Sequence, residues 1–285
     1  MQRIGITTDC VCDLPEDLLR RCGVDLMHFY ITTDSGRFRD GYAITSGNIL
    51  EYLEDGGTKA ETSAPAPEEY VEFFENHLQK YSEIVHIGIS DRVGHSCANA
   101  IKAVSLMGDN ARRVTVINSR HLSTGMGHMV LKAVELRDAG CSAAEIAEAI
   151  ERMRSKVSTT FITCNADYLY RNGQVSQTVK KLCAFFKLHP ILEMRNGRIT
   201  LHSFRIGNYE KSVIRYIRSA LSSSGSIDHR RLFITHAGCS VKMIAQIRAE
   251  VERLYQFDEI IVTKASATVS GNCGPWTVGV LFVHQ

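Results

Sequence analysis

Ile84-Val85-His86-Ile87-Gly88-Ile89, followed by Ser90-Asp91-Arg92-Val93-Gly94-His95-Ser96, is the stretch on which the reading of this chain turns. The first six residues are a short, largely apolar run of the kind that suits a strand covered on both faces. From Ser96 to about Met107 the pattern predicts a helix. The loop between them therefore lies where a parallel strand gives way to a helix, the edge at which open α/β sheets bind ligands. Helix entrances leave backbone N–H groups unpaired and carry a partial positive charge, so hydroxyls gathered there suit an oxyanion. A second hydroxyl run, Thr62-Ser63-Ala64-Pro65, precedes the helically spaced Tyr70, Val71, Phe74, Leu78 and Tyr81. Together the two runs point to a carboxylate or phosphate ligand.

Working outward, the same strand, loop, helix unit recurs. Ile4 to Thr8 reads as a strand leading to Asp9, and Asp13-Leu14-Pro15 opens a helix through Arg20. The Asp34-Ser35-Gly36 turn signal suggests a strand pair before a helix at Ser46 to Leu53. Val114 to Ile117 reads as a strand, followed by helices from about Ser123 to Asp138 and from the capping-box pattern Ser142-Ala143-Ala144-Glu145. Near Lys156 the pattern changes. Pro190 to Arg195 and Arg198 to Phe204 flank Asn196-Gly197, a strong hairpin signal, and strands Arg231 to Thr235, Glu259 to Lys264 and Trp276 to Val283 alternate with helices near Asn208 to Ser222 and Ser240 to Tyr255. The expectation is an α/β protein of two domains. Residues 1–157 would form a parallel-sheet, Rossmann-like α/β domain, and residues 158–285 an α+β domain with a mostly antiparallel sheet.

Bulk properties narrow the function. With 285 residues, 44% of them hydrophobic, the chain can bury a substantial core. A net charge of +2 with 22% charged residues shows no basic bias, so nucleic-acid binding is not expected. There is no leader-like apolar run at the start and no eighteen-residue apolar stretch, which suggests a cytoplasmic protein without stable membrane insertion. The nine cysteines show no repeated Cys-x-x-Cys spacing and read as reduced packing residues.

Each motif has a plainer reading. Thr62 or Ser63 would cap the helix that follows, and Ser96 would be an N-cap. His95 would be a general base, an anion donor or an exposed loop residue. Ser270-Gly271-Asn272-Cys273-Gly274-Pro275 would be a tight glycine-rich turn between strands, or part of a site. A hydrolase using Cys273 or His95 is the enzyme alternative, although no nucleophile elbow supports it. There is no phosphate loop, and Gly125-Met126-Gly127 lacks a third glycine and the strand placement of a dinucleotide fingerprint. Cys10-Val11-Cys12 has no partner pair, and His121 and His128 have no nearby carboxylate, so no metal is expected. Arg171-Asn172-Gly173, after Asp167-Tyr168-Leu169-Tyr170, reads as a helix ending at a turn.

Taken in order, these segments resemble the DegV family of bacterial lipid-binding proteins over nearly the whole chain. The resemblance rests on Thr8-Asp9-Cys10 with Asp13-Leu14-Pro15, Arg39-Asp40-Gly41 with Ile44-Thr45, Thr62 to Pro65, Ile89 to Ser96, Asn118-Ser119 with Gly125-Met126-Gly127, Tyr168-Leu169 with Arg171-Asn172-Gly173, His189 to Leu192, and Gly274-Pro275. It implies a two-domain (EDD) fold holding a long-chain fatty acid such as palmitate in an apolar tunnel between its domains, with no cofactor and no catalysis by the chain itself. It also implies a second reading, in which the chain presents the acid to a separate fatty-acid kinase. The family's ligand threonine falls on Thr62. Its Ser-Gly-Thr falls on Gly94-His95-Ser96, so the serine is absent here. Its His-Thr-Gly-Pro falls on Asn272-Cys273-Gly274-Pro275, where Asn272 can donate a hydrogen bond but cannot take a proton. The implied ligand residues are Thr62, Ser63, Gly94, His95, Ser96, Ser119, Asn272 and Gly274, with Arg171 and Arg205 as contacts for a partner.

Overall fold

The computed structural model describes residues 4–57, 60–171, 173, 175–222 and 225–285. The first part of the chain runs β1 (Ile4–Asp9), α1 (Glu16–Cys22), β2 (Val24–Met27), β3 (Tyr30–Thr33), β4 (Gly36–Arg39), α2 (Ser46–Glu54), β5 (Glu61–Ser63), α3 (Pro67–Leu78), β6 (Glu83–Gly88), α4 (Ser96–Leu106), β7 (Val114–Asn118), α5 (Ser123–Asp138) and α6 (Ala143–Met153). Strands β2-β1-β6-β7 form an all-parallel sheet. Its central strands are buried on both faces, which is why Ile84, Val85 and Ile87 read as a continuous run. Tyr70, Phe74 and Leu78, four apart on α3, bury against Ile84 and α4. The predicted capping box closes α6: Ser142 accepts from Glu145 N, and Glu145 accepts from Ser142 N at 2.8 Å.

The second part runs β8 (Val157–Ile162), α7 (Asp167–Arg171), α8 (Gln177–Phe186), β9 (Leu188–Arg195), β10 (Arg198–Ile206), α9 (Tyr209–Ser222), β11 (Arg231–Ala237), α10 (Val241–Leu254), β12 (Glu259–Lys264), α11 (Ala267–Cys273) and β13 (Thr277–Val283). The sheet order is β10-β9-β8-β13-β11-β12, antiparallel throughout except for the parallel pair β11 and β12. Asn196 and Gly197 turn the β9–β10 hairpin with φ of 51° and 80°, as a two-residue primed turn requires. Helices α9 and α10 cover one face of this sheet through Val213, Tyr216, Ile217, Ile247 and Val251.

Helix α5 lies between the two sheets, and its buried residues Met126, Met129 and Val130 share a core with Ile6 and Val85 on one side and Phe233 and Leu281 on the other. The close approach explains its two glycines. A Cβ on Gly125 would stand 2.0 Å from Thr159 Oγ1, and one on Gly127 would stand 2.8 Å from Leu14 Cδ2 and 3.1 Å from the Cys12 carbonyl. The Gly-Met-Gly run is thus a packing device, one glycine for each side of the helix.

Three elements depart from expectation. Thr62 and Ser63 are not caps but strand residues of the antiparallel sheet β4-β3-β5, paired with Ile31 and Tyr30. Helix α3 instead starts at Ala66, whose N–H donates to Glu69 Oε2 at 2.8 Å. The stretch expected to be a glycine-rich turn is mostly helical: Ser266 Oγ accepts from Val269 N to open α11, and the chain turns only after it, at Gly274 with φ of 81° and Trp276 with φ of 64°. Helix α8 carries no motif that the sequence reading used. Of the Arg171-Asn172-Gly173 turn, Asn172 lies outside the described residues.

Gly125→Ala should destabilise the fold by roughly 1–3 kcal/mol, because neither Thr159 on the strand nor the helix axis can yield without losing core contacts. Urea denaturation checks this, and a wild-type midpoint would show that α5 is free to shift.

Candidate functional site

A cavity of about 800 Å³ lies between the sheets, lined from both parts of the chain and with more apolar than polar surface. Val11, Phe29, Ile89, Leu122, Ile199 and Leu281 supply much of the apolar wall. The volume suits a small organic ligand.

One wall is the loop after β6. Its two ends are gathered by Asp9, a fully buried carboxylate at the end of β1. Ile89 N donates to Asp9 Oδ2 at 2.8 Å, Ser96 Oγ donates to the same oxygen at 2.7 Å, and Tyr70 OH donates to Oδ1 at 2.7 Å. Burial works to raise the Asp9 pKa, but His86, whose Nε2 stands 3.5 Å from Oδ1, together with the Ile89 N–H and Tyr70 OH holds it below the ordinary value. The same loop is tied from the other sheet: Ser90 Oγ donates to the Gly197 carbonyl at 2.6 Å and Arg92 Nη1 to the Asn196 carbonyl at 3.1 Å. The tip of the β9–β10 hairpin thereby fixes the loop across the cavity.

The facing wall is α11. Its Asn272 Nδ2 donates to Thr62 Oγ1 at 3.1 Å and to its own helix at the Thr268 carbonyl at 2.8 Å. The N-terminus of α11 is held by two buried aspartates. Ala267 N and Thr268 N donate to Asp40 Oδ1 and Oδ2 at 3.1 and 2.8 Å, and Ser266 N donates to Asp13 Oδ1 at 2.7 Å. Ser123 Oγ, at the start of α5, donates to the other oxygen of Asp13. Burial pushes the Asp13 carboxyl up to about 7, against the hydrogen bonds from Ser123 and Ser266 and aided by the nearby charge of Asp40.

The expected ligand residues divide. Thr62, Ser63, Gly94, His95 and Asn272 line the cavity. Ser96, Ser119 and Gly274 lie outside its wall. Ser96 is neither a side-chain cap nor a free donor, because its hydroxyl is spent on Asp9 and α4 opens from His95 without side-chain capping. Ser119 turns its hydroxyl to the His121 carbonyl at 3.0 Å and accepts from His121 N. Gly274 sits against the Tyr168 ring, where a Cβ would come within 2.2 Å of Cδ2. Arg171 is exposed, with its guanidinium 5.6 Å from the Tyr168 ring centre, and Arg205 Nη1 donates to the Phe204 carbonyl; neither reaches the cavity. Asn99, which also lines the cavity and donates to the Pro65 carbonyl at 2.7 Å, carried no sequence signal beyond its place one turn into α4.

Cys273 lines the cavity but is poorly placed as a nucleophile. Burial pushes its thiol up to about 12, the Asp13 charge adding to this and a hydrogen bond with Thr277 opposing it. Its Sγ lies against the Ser270 and Gly274 carbonyls, with no histidine among its hydrogen-bond partners. Among the described residues no group of three His, Cys, Asp or Glu side chains is arranged to hold a metal ion, and no helix is long and apolar enough to cross a membrane.

A parallel sheet and a mixed sheet, with the small β4-β3-β5 sheet contributing Thr62 and Ser63, enclose a cavity with an apolar wall and a hydroxyl-and-amide end and define an α/β protein built around an internal ligand site. The chain belongs to the DegV family, whose sequence model, described as uncharacterised protein, matches residues 3–285. A DegV domain-containing protein of Caldanaerobacter subterraneus is 26% identical over 286 residues, spanning all of both chains. Among solved structures, a DegV family protein of Thermus thermophilus, described for its fatty acid binding, is 27% identical, with a TM-score of 0.89 over 99% of this chain and 100% of its own. The B3 protein of the fatty acid kinase of Streptococcus pneumoniae, loaded with linoleic acid, shares the fold at 18% identity, with a TM-score of 0.85 over 99% of this chain and 100% of its own.

Asp13 gives the fold a distinct pH response. Its carboxyl ionises near 4 in the unfolded chain and near 7 in the fold, so the folded state holds the extra proton between those values and stability falls as pH rises through that window. Asp13→Asn should remove this slope. The stability difference between wild type and variant, from urea denaturation, should change on the order of 1 kcal/mol per pH unit between about pH 4 and 7 and level off above. A constant difference would place the Asp13 ionisation elsewhere.

Proposed function

We propose that this protein binds one long-chain fatty acid, with its tail along the apolar wall and its carboxylate at Thr62, Ser63, Gly94, His95 and Asn272, and carries the acid without chemically altering it. The observation that carries this reading is the Thr62–Asn272 pair, two polar side chains from distant parts of the sequence meeting at the wall of a predominantly apolar cavity. The Thermus relative's described fatty acid binding supports it. Thr62 and Ser63 hydroxyls and His95 can all donate to a carboxylate, while the Asn272 amide, whose two hydrogens go to Thr62 Oγ1 and the Thr268 carbonyl, leaves the Thr62 hydroxyl hydrogen to point at the ligand. The Cys273 thiol, pushed up to about 12 and set against carbonyls without a histidine partner, speaks against hydrolysis. In this reading the protein works in the cytoplasm and needs no cofactor beyond its lipid, and its two domains meet at 157/158, one residue into β8.

A second reading, presentation of the bound acid to a separate fatty-acid kinase, is favoured by the position of His95, which lines the cavity and is also exposed. Arg171 and Arg205 would then face the partner. Asn272 cannot shuttle a proton, so any proton transfer in this reading would fall to His95 or to groups the partner supplies.

Organic extraction of purified protein followed by mass spectrometry should yield a C16–C18 acid in about equimolar amount. The same preparation, given ATP and a fatty-acid kinase, should form acyl phosphate only under the second reading. Protein free of lipid that also takes up neither palmitate nor oleate would sink both. A Cβ on Gly94 meets nothing within 4 Å, so Gly94→Ser should fold normally. One added hydroxyl toward a carboxylate should tighten binding about tenfold in a fluorescent-acid displacement assay. Unchanged affinity would move the carboxylate away from that loop.

A further inference from the structure

Helix α11 is short, and among the described residues it meets the N-terminal half through few polar contacts. On one side Ser270 Oγ lies 2.6 Å from Ser46 Oγ of α2, and Gly271 packs beside Ile49, whose Cγ1 is 3.4 Å from where a Cβ would stand. At its start, all three backbone N–H groups from Ser266 to Thr268 are taken by carboxylates that come from elsewhere in the sequence. Asp40 is itself fixed: its N–H donates to the Phe29 carbonyl, its own carbonyl accepts from His28 Nδ1 at 2.7 Å, and Cys10 Sγ lies 3.8 Å from Oδ2. On the cavity side, four residues apart, the same helix presents Thr268 and Asn272.

From this we infer that Asp40 is a positioning residue of the ligand site: by gripping the first turn of α11 it sets the Asn272 amide against Thr62 and keeps the cavity wall closed, although it does not line the cavity itself. The inference rests on the proposed binding of a fatty acid at that wall. The physical ground is the matching of a carboxylate to two free N–H groups at the positive end of a helix in a water-poor interior, where such bonds are charge-assisted. Removing the carboxylate leaves two buried donors unpaired and frees the helix to pivot about its C-terminal end. Asp13 is the second hold. Among the described residues, Asp40, Cys12 and Cys273 are ionisable groups that act on Asp13 or feel its charge, and all three are acidic or neutral.

Cys273, half-buried at the far end of α11 with its Sγ packed against the Ser270 and Gly274 carbonyls, reports on the helix without any ligand. In Asp40→Ala, alkylation of Cys273 by iodoacetamide under native conditions, read by peptide mass spectrometry, should speed roughly ten- to hundredfold. Displacement of a bound fluorescent fatty acid should accelerate by a similar factor. Asp40→Asn, which keeps one acceptor and is the milder change, should fall between. Gly125→Ala, which strains the fold elsewhere, should lower the unfolding midpoint yet leave Cys273 protected well below it. Wild-type Cys273 protection and wild-type ligand release in both Asp40 variants would overturn the inference. If the wild-type protein binds no fatty acid, the displacement arm fails for every variant while the alkylation arm still decides whether Asp40 holds α11.

Discussion

Three buried carboxylates, each accepting backbone N–H groups from a distant segment, organise the cavity. Asp9 gathers both ends of the loop after β6, while Asp13 and Asp40 hold the first turn of α11. A carboxylate in an apolar interior is costly unless its oxygens are satisfied, and here each of the three carboxylates is satisfied in part by groups that fix a piece of the cavity wall. The cost and the architecture are therefore linked: the interior can tolerate these charges only in the arrangement that forms the site. This also explains why the walls can be a loop and a two-turn helix, elements that would not hold their shape alone.

Helix α5 supplies the other constraint. It buries residues toward both sheets at once, so the two parts of the chain share a core and do not merely touch. The cavity begins where this packing ends, at Leu122 and Ser123, the residues just at the head of α5. Ser123 takes φ of 53° there, and its hydroxyl is the one that meets Asp13. Thus the helix that joins the sheets also sets the depth at which the cavity starts and supports the carboxylate that holds the opposite wall.

Much of the fold was legible because its signals were local. Apolar runs gave the parallel strands, the capping box gave α6, and Asn196-Gly197 gave the hairpin. The failures share a cause, which is that a distant partner decided the outcome. Thr62 looked like a cap because a helix follows it, but β3 claims it as an edge of a small sheet. Ser96 looked like a cap because a helix starts on it, but Asp9, eighty-seven residues earlier, takes its hydroxyl. The segment around Gly271 looked like a turn because of its glycines, yet one of them serves a helix packed against Ile49. No spacing rule encodes that Asp40 will meet residues 267 and 268. The two-sided packing role of the Gly125-Met126-Gly127 run needed the neighbours Thr159 and Leu14 to be seen.

The proposed ligand also makes physical sense of the residues this chain lacks. Burying an acyl tail stabilises by roughly 0.8 kcal/mol per methylene, so a dozen methylenes outweigh any single headgroup hydrogen bond of about 1–3 kcal/mol. A site of this kind can lose a serine at position 94 and carry asparagine at 272 while still binding, because the tail supplies affinity and the polar end supplies direction. Asn272 is suited to the second task, since its amide bridges Thr62 and the Thr268 carbonyl and so holds the Thr62 hydroxyl in place. What it cannot supply is a proton or a charge. In the proposed site that amide therefore holds an acid in one orientation, and a proton moved at the carboxylate would have to pass through another group, such as His95 on the same cavity wall.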